Sequence, residues 1–120
     1  IKKNKNLFLK IHHVSKLKKV HIGNSIIYLD YNNKLAEISI LIGDKRFLNK
    51  GLSSFLWGFF INYLFKKYKF RLIISGTMSV NKAMVRVFLK NKMKIAVNPK
   101  RYLYKNREVD EIYAYISKKN

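Results

Sequence analysis

Chemistry in this chain is most readable between Ile42 and Ser54, where an apolar strand passes into an apolar helix through a basic, glycine-bearing loop. Backbone N–H groups at a helix start lack internal partners and sit at the positive end of the helix dipole, so a pyrophosphate placed there is hydrogen-bonded by the main chain itself. Gly51 lets such a ligand approach the backbone, and Lys45, Arg46 and Lys50 add positive charge around it. Taken alone the segment also fits an ordinary strand–turn–helix connection, so a second signal has to decide.

That signal lies downstream. Ser79 to Ile95 resembles the N-x-x-A-x-x-x-Y-x-K-x-G-F helix motif of the GNAT acetyltransferase family, a likeness carried by Asn81, Ala83, Phe88, Lys90 and Asn91. Leu48-Asn49-Lys50-Gly51-Leu52-Ser53 is similar to the same family's acyl-CoA loop, R/Q-G-x-G-x-G/A. Ala36 to Lys45 and Asn106 to Ile112 resemble the branch that acetylates ribosomal-protein N-termini and amino sugars. The four segments follow the family's order and cover roughly Leu7 to Ile116.

The resemblance implies acetyl-CoA as co-substrate, attack of an amine on its thioester, and no metal. It implies binding by Leu41, Ile42, Leu48, Asn49, Lys50, Gly51, Leu52, Ser53, Asn81 and Phe88, with the pantetheine arm between the strands that end near Ile42 and Gly76. Backbone N–H groups around Ile40 to Ile42, freed by a bulge, would hold the thioester carbonyl. An amine must lose a proton before it attacks, and Glu37, the only carboxylate on the strand leading to the loop, stands where relatives often carry a catalytic glutamate. The alternative for Glu37 is an ordinary surface pair with one of the many lysines.

Three positions depart from the family pattern. Phe88 replaces the tyrosine that usually protonates the departing thiolate, so the thiolate leaves unaided or through water, or Tyr102 or Tyr104 reaches in, or the chain is impaired. Asn49 and Lys92 replace glycines, and Lys92 would need a left-handed backbone that lysine tolerates poorly.

The elements that must position these groups read clearly. Leu7 to Val14, Lys19 to Tyr31 and Leu35 to Ile42 are expected strands of an antiparallel meander, with a turn at Asn32-Asn33. After Gly51, the residues Leu52, Phe55, Leu56, Phe59, Phe60, Tyr63 and Leu64 recur at helical spacing and predict the buried face of a helix, with Trp57 toward its flank. Phe70 to Gly76 is an expected strand, Asn81 caps a helix running to about Asn91, and Lys94 to Val97, Tyr102 to Tyr104 and Val109 to Ile116 are expected strands, with Pro99 as a connection. The expected fold is α/β (α+β), with a mixed, largely antiparallel sheet, helices packed on it and splayed strands forming the acyl-CoA cleft.

Composition frames this reading. The chain has 120 residues, 48% of them apolar, enough for the core of one domain spanning 1–120. It begins at Ile1 instead of methionine, and the resemblance implies an N-terminally truncated chain in which the N-terminal strand and helix pair that forms much of the family's substrate wall is expected to be missing. Without cysteine there are no disulfides or thiolate metal sites, and without a basic-then-apolar leader the expected compartment is the cytoplasm. His12, His13 and His21 have no carboxylate partners at ligand spacing, and adjacent Asp110 and Glu111 face opposite ways on a strand, which argues against their working as an acid–base pair. The helix after Gly51 falls short of a membrane span.

A formal charge of +20, from 26 Lys plus Arg against 6 Asp plus Glu, attracts anions in general. It fits coenzyme A as well as nucleic acid, and no arginine-rich run or aromatic RNA-binding signature stands out. The reading is therefore an N-acetyltransferase acting on a primary amine: an amino sugar, a nucleotide-linked amino sugar or a protein N-terminus, with a homodimer allowed. The alternative is a basic nucleic-acid-binding module on an inactive fold of the same kind.

Overall fold

The computed structural model describes residues 3–48 and 51–119. Six strands form one sheet in the order β1-β2-β3-β4-β6-β5: β1 Lys5–Val14, β2 Lys19–Asp30, β3 Leu35–Ile42, β4 Leu72–Met78, β5 Lys94–Tyr104 and β6 Arg107–Ser117. Neighbours run antiparallel except β3 and β4, which are parallel. Parallel neighbours need a crossover, and a 3-10 turn at Lys45–Phe47 followed by helix α1, Leu52–Tyr68, provides it. Helix α2, Lys82–Lys90, links β4 to the edge strand β5.

Period-two alternation decides the faces of the sheet. Ile27 and Leu29 of β2, Ala36 and Ile38 of β3, Ile73 of β4 and Ala114 of β6 are buried against the two helices. On the opposite face Phe8, Ile26 and Tyr28 are exposed.

Helix α1 turns a different face inward from the one the spacing predicts. Trp57, Phe60, Ile61 and Leu64 are buried, whereas Phe55 is 69% and Phe59 55% exposed and Tyr63 is also exposed. The helix is apolar nearly all round, so periodicity offers two overlapping stripes that share Phe60 and Leu64. The stripe holding Trp57, the largest side chain, prevails. Its ring packs on Phe88 at a centroid separation of 5.6 Å and its Nε1–H donates to Met93 Sδ at 3.2 Å.

The two strands expected at Lys94 to Val97 and Tyr102 to Tyr104 are one strand. The ladder to β6 shifts between Asn98 and Tyr102, and Pro99 sits in that bulge, where a residue without an N–H is tolerated. The bulge is closed by Lys100 at φ 57°.

Candidate active site

Parallel pairing of β3 and β4 covers only Leu35↔Leu72, Ala36↔Ile73 and Glu37↔Ile74. Beyond Glu37 the strands part. Ser75 Oγ bridges the start of the gap by donating to Ile38 O at 2.9 Å, and Ser25 Oγ, on the other side of β3, donates to Ser39 O at 3.0 Å. Because backbone groups alternate sides along a strand, Ile38 and Ile40 turn theirs toward β4, and past the last rung those of Ile40 face the gap. β3 keeps an unbroken register with β2 as far as Ile42. The free edge therefore comes from splaying, not from the bulge that the sequence suggests. A cavity of about 170 Å³ fills the gap, lined among others by Ser39, Ile40, Gly76, Thr77 and Asn81.

A second cavity, of about 360 Å³, opens at the start of α1 and is within the size range of small-molecule sites. Gly51 stands at the helix N-cap with φ 75° and ψ 2°, a left-handed conformation natural to glycine. No side chain caps the helix, no acidic residue lies in its first turn, and the first intrahelical bond runs from Phe55 N–H to Gly51 O. Leu52, Ser53 and Ser54 thus present N–H groups without helical partners, at the positive end of the dipole. Leu48, Gly51, Leu52 and Ser53, all expected to bind, line this cavity. Asn49 and Lys50 lie outside the described residues.

Sequence reasoning missed the facing wall. Ala83, Arg86, Val87 and Lys90 of α2 line the same cavity. Their i, i+3, i+4, i+7 spacing was a signal able to reveal them as one helical face. Asn81 caps α2 as expected, accepting from Met84 N–H at 3.1 Å, and itself borders the first cavity, so the opening turns of α2 join the two. Asn91 fixes α2 against α1, its Nδ2 donating to Ser54 O at 3.1 Å and Val87 O at 3.0 Å. Lys92 adopts the left-handed conformation that a glycine would take more readily, φ 60°.

Other expected residues stand off the cavities. Ile42 is buried in a small cluster with Ile11 and Ile22, and Leu41 points to the opposite side, 69% exposed. Phe88 is fully buried against Trp57. A hydroxyl added there would be desolvated in an apolar core at a cost of about 1–3 kcal/mol. Phe88→Tyr is accordingly expected to lower the thermal midpoint in calorimetric melting. A variant of parental stability would show that the ring reaches the cleft.

Charge is distributed unevenly around the site. Arg46 is engaged by Asp44, whose carboxylate accepts from Arg46 Nη2 at 2.7 Å and Arg46 N–H at 3.0 Å. The Arg46 side-chain and backbone hydrogen bonds hold the Asp44 carboxyl down at about 2. Arg86 and Lys90, which line the cavity directly, take the place of Arg46 as its cationic wall. Glu37 is exposed at the last rung before the splay, with no ion pair among the described residues. Tyr102 donates its hydroxyl to Glu111 Oε2 at 2.9 Å, a bond that, with burial, raises its pKa and keeps it protonated. Tyr104 is exposed at the β5–β6 turn under Lys105. Among the described residues no group of three His, Asp or Glu is placed to hold a metal, and no helix is long and apolar enough to cross a membrane.

The arrangement of strands and helices as a whole superposes on solved structures. The spermidine N-acetyltransferase of Vibrio cholerae, in a mutant form, superposes with TM-score 0.78 at 17% identity, over 95% of this chain and 65% of that one. The fold is that of the GNAT acetyltransferases. A GNAT-family acetyltransferase from Bacillus anthracis gives TM-score 0.72 at 24% identity, over 82% of this chain and 59% of that one. The Vibrio cholerae enzyme in complex with CoA and spermine gives 0.75 at 20%, over 82% and 59%. This chain spans less than two thirds of the length of these GNAT-fold structures. No protein-family model and no curated sequence matches it.

Proposed function

We propose that the chain binds acetyl-CoA along α2 and transfers the acetyl group to a primary amine. One observation carries this reading: the uncapped N-terminus of α1, walled by Arg86 and Lys90, and the gap between β3 and β4 adjoin the same turns of α2. An anionic pyrophosphate fits the first and a thioester the second, with Asn81 beside the linking arm. Likeness to acetyltransferase folds, one of them solved with CoA and spermine, supports the same ligand class.

In this reading Glu37 takes the proton from the attacking ammonium, directly or through water, and the N–H of Ile40 hydrogen-bonds the thioester carbonyl as charge develops on its oxygen. Phe88 donates nothing, so the thiolate departs unaided, as a thiol pKa near about 8.5 allows. Amino sugars, nucleotide-linked amino sugars and protein N-termini are the acceptors that the sequence resemblance favours, and the neighbours add polyamines.

Calorimetric titration with acetyl-CoA tests the first half of the proposal and detection of acetylated amine by mass spectrometry the second. One molecule bound per chain with micromolar affinity is expected. Absence of binding would return the fold to a non-catalytic role.

A further inference from the structure

The gap between β3 and β4 ends against side chains of both helices. Trp57 of α1, Met84 of α2 and Ser75 of β4 line the same cavity of about 170 Å³ as Ser39, Gly76 and Asn81. Because Trp57 and Met84 belong to the helices, they close the gap on the helical side of the sheet. Glu37 belongs to the other side: Ala36 and Ile38, its neighbours in β3, are buried against the helices, and side chains alternate along a strand. In the acetyl-transfer reading, an amine deprotonated by Glu37 reaches the thioester from that open face, which leaves the helical side to the acyl substituent.

The three walls differ in how far they can yield. Trp57 is 1% exposed, its ring lies on Phe88 and its Nε1–H donates to Met93 Sδ, so a swing of the indole would break packing and strand a buried donor. Ser75 is tied through Oγ to Ile38 O. Met84 is only half-buried, and its unbranched side chain turns about several bonds, which makes it the compliant member of the three. Volume agrees with a short occupant. At about 30 Å³ for each water-sized group in a liquid, a cavity of about 170 Å³ holds roughly six non-hydrogen atoms, which an acetyl thioester and the start of its arm already supply.

We propose that Trp57 and Met84 set the length of the acyl group this protein accepts, the indole acting as a fixed stop that admits acetyl and rejects butyryl and longer chains. This rests on the acetyl-transfer reading above. The limit is steric. Every methylene beyond the acetyl methyl has to enter a filled apolar wall, and in such pockets one methylene changes selectivity by about 10- to 200-fold. Met84 adjusts the limit, since truncating it removes Cγ, Sδ and Cε from the side of the cavity that can give way.

The test is calorimetric titration of the parent, Met84→Ala and Trp57→Phe with CoA, acetyl-CoA, propionyl-CoA and butyryl-CoA, with circular dichroism to establish that each variant is folded. The parent is expected to bind butyryl-CoA about 100-fold more weakly than acetyl-CoA, with propionyl-CoA between them. Met84→Ala should narrow that difference to about tenfold. Trp57→Phe, which keeps a ring against Phe88 while enlarging the cavity, should narrow it as well, and it decides the matter if Met84→Ala fails to fold. A general loosening of the core would weaken all four ligands alike and leave the ratio unchanged. A parent that binds acetyl-CoA and butyryl-CoA equally, or a parental ratio in every variant that folds, overturns the assignment while leaving acetyl-CoA binding standing. Should neither variant fold, the parental series decides alone. Failure of the parent to bind acetyl-CoA overturns both readings.

Discussion

Gly51→Val is expected to weaken acetyl-CoA binding about 100-fold or more. The residue holds φ 75° at the N-cap of α1, a backbone region that a β-branched side chain resists. Among the described residues no atom beyond the adjoining backbone comes within 4 Å of a Cβ built there, so the new side chain would stand in the cavity proposed for the pyrophosphate. Two effects combine: the loop twists the N–H groups of Leu52 to Ser54 away from the ligand, and the isopropyl group occupies its space. Losing about 3 kcal/mol of such contacts corresponds to the stated factor. Gly51→Ala, with strain but less bulk, should fall between the variant and the parent. Calorimetric titration measures the affinities, and circular dichroism establishes that the helix persists. Parental affinity in Gly51→Val would move the phosphate site elsewhere.

Glu37→Gln is the second large effect. Removing a general base typically lowers turnover by about 10² to 10⁴, and the lower end is expected here because water also reaches this exposed rung of the sheet. The amide keeps shape and position, so acetyl-CoA affinity should not change. An acceptor that is mostly ammonium at neutral pH needs the base, whereas above its own pKa it supplies free amine. The deficit should therefore shrink as pH rises. Steady-state rates across pH 6 to 10 check this. A variant as fast as the parent at pH 7 would leave Glu37 only a structural place in β3.

How much of this was legible in the sequence depends on the range of the interaction. The bounds of β3, the cap at Asn81 and the start of α1 after Gly51 follow from nearest-neighbour chemistry, and the structure agrees with each. The face of α1 was not legible, because an all-round apolar helix carries no phase and only contact with Phe88 and Met93 selects the Trp57 side. The neighbourhood of Glu111 was even less so. Adjacent acidic residues on a strand were correctly read as facing opposite ways, but the nearness of Glu111 to Gly76 arises from β4 pairing with β6 across 34 intervening positions of chain. No local pattern encodes such a register.

The left-handed lysines bear on how the molecule assembles. Lys34 after the β2–β3 turn, Lys69 at the end of α1, Lys92 after α2, Lys100 in the bulge and Lys105 in the β5–β6 turn all adopt positive φ, where glycine is the residue of least cost. Each pays roughly 1 kcal/mol for lacking that freedom. These corners therefore do not fold because their own residues favour it; the strands and helices they join hold them in place. The cost of these corners is therefore carried by the pairing of β3 with β4 and of β4 with β6 as much as by the hairpins themselves.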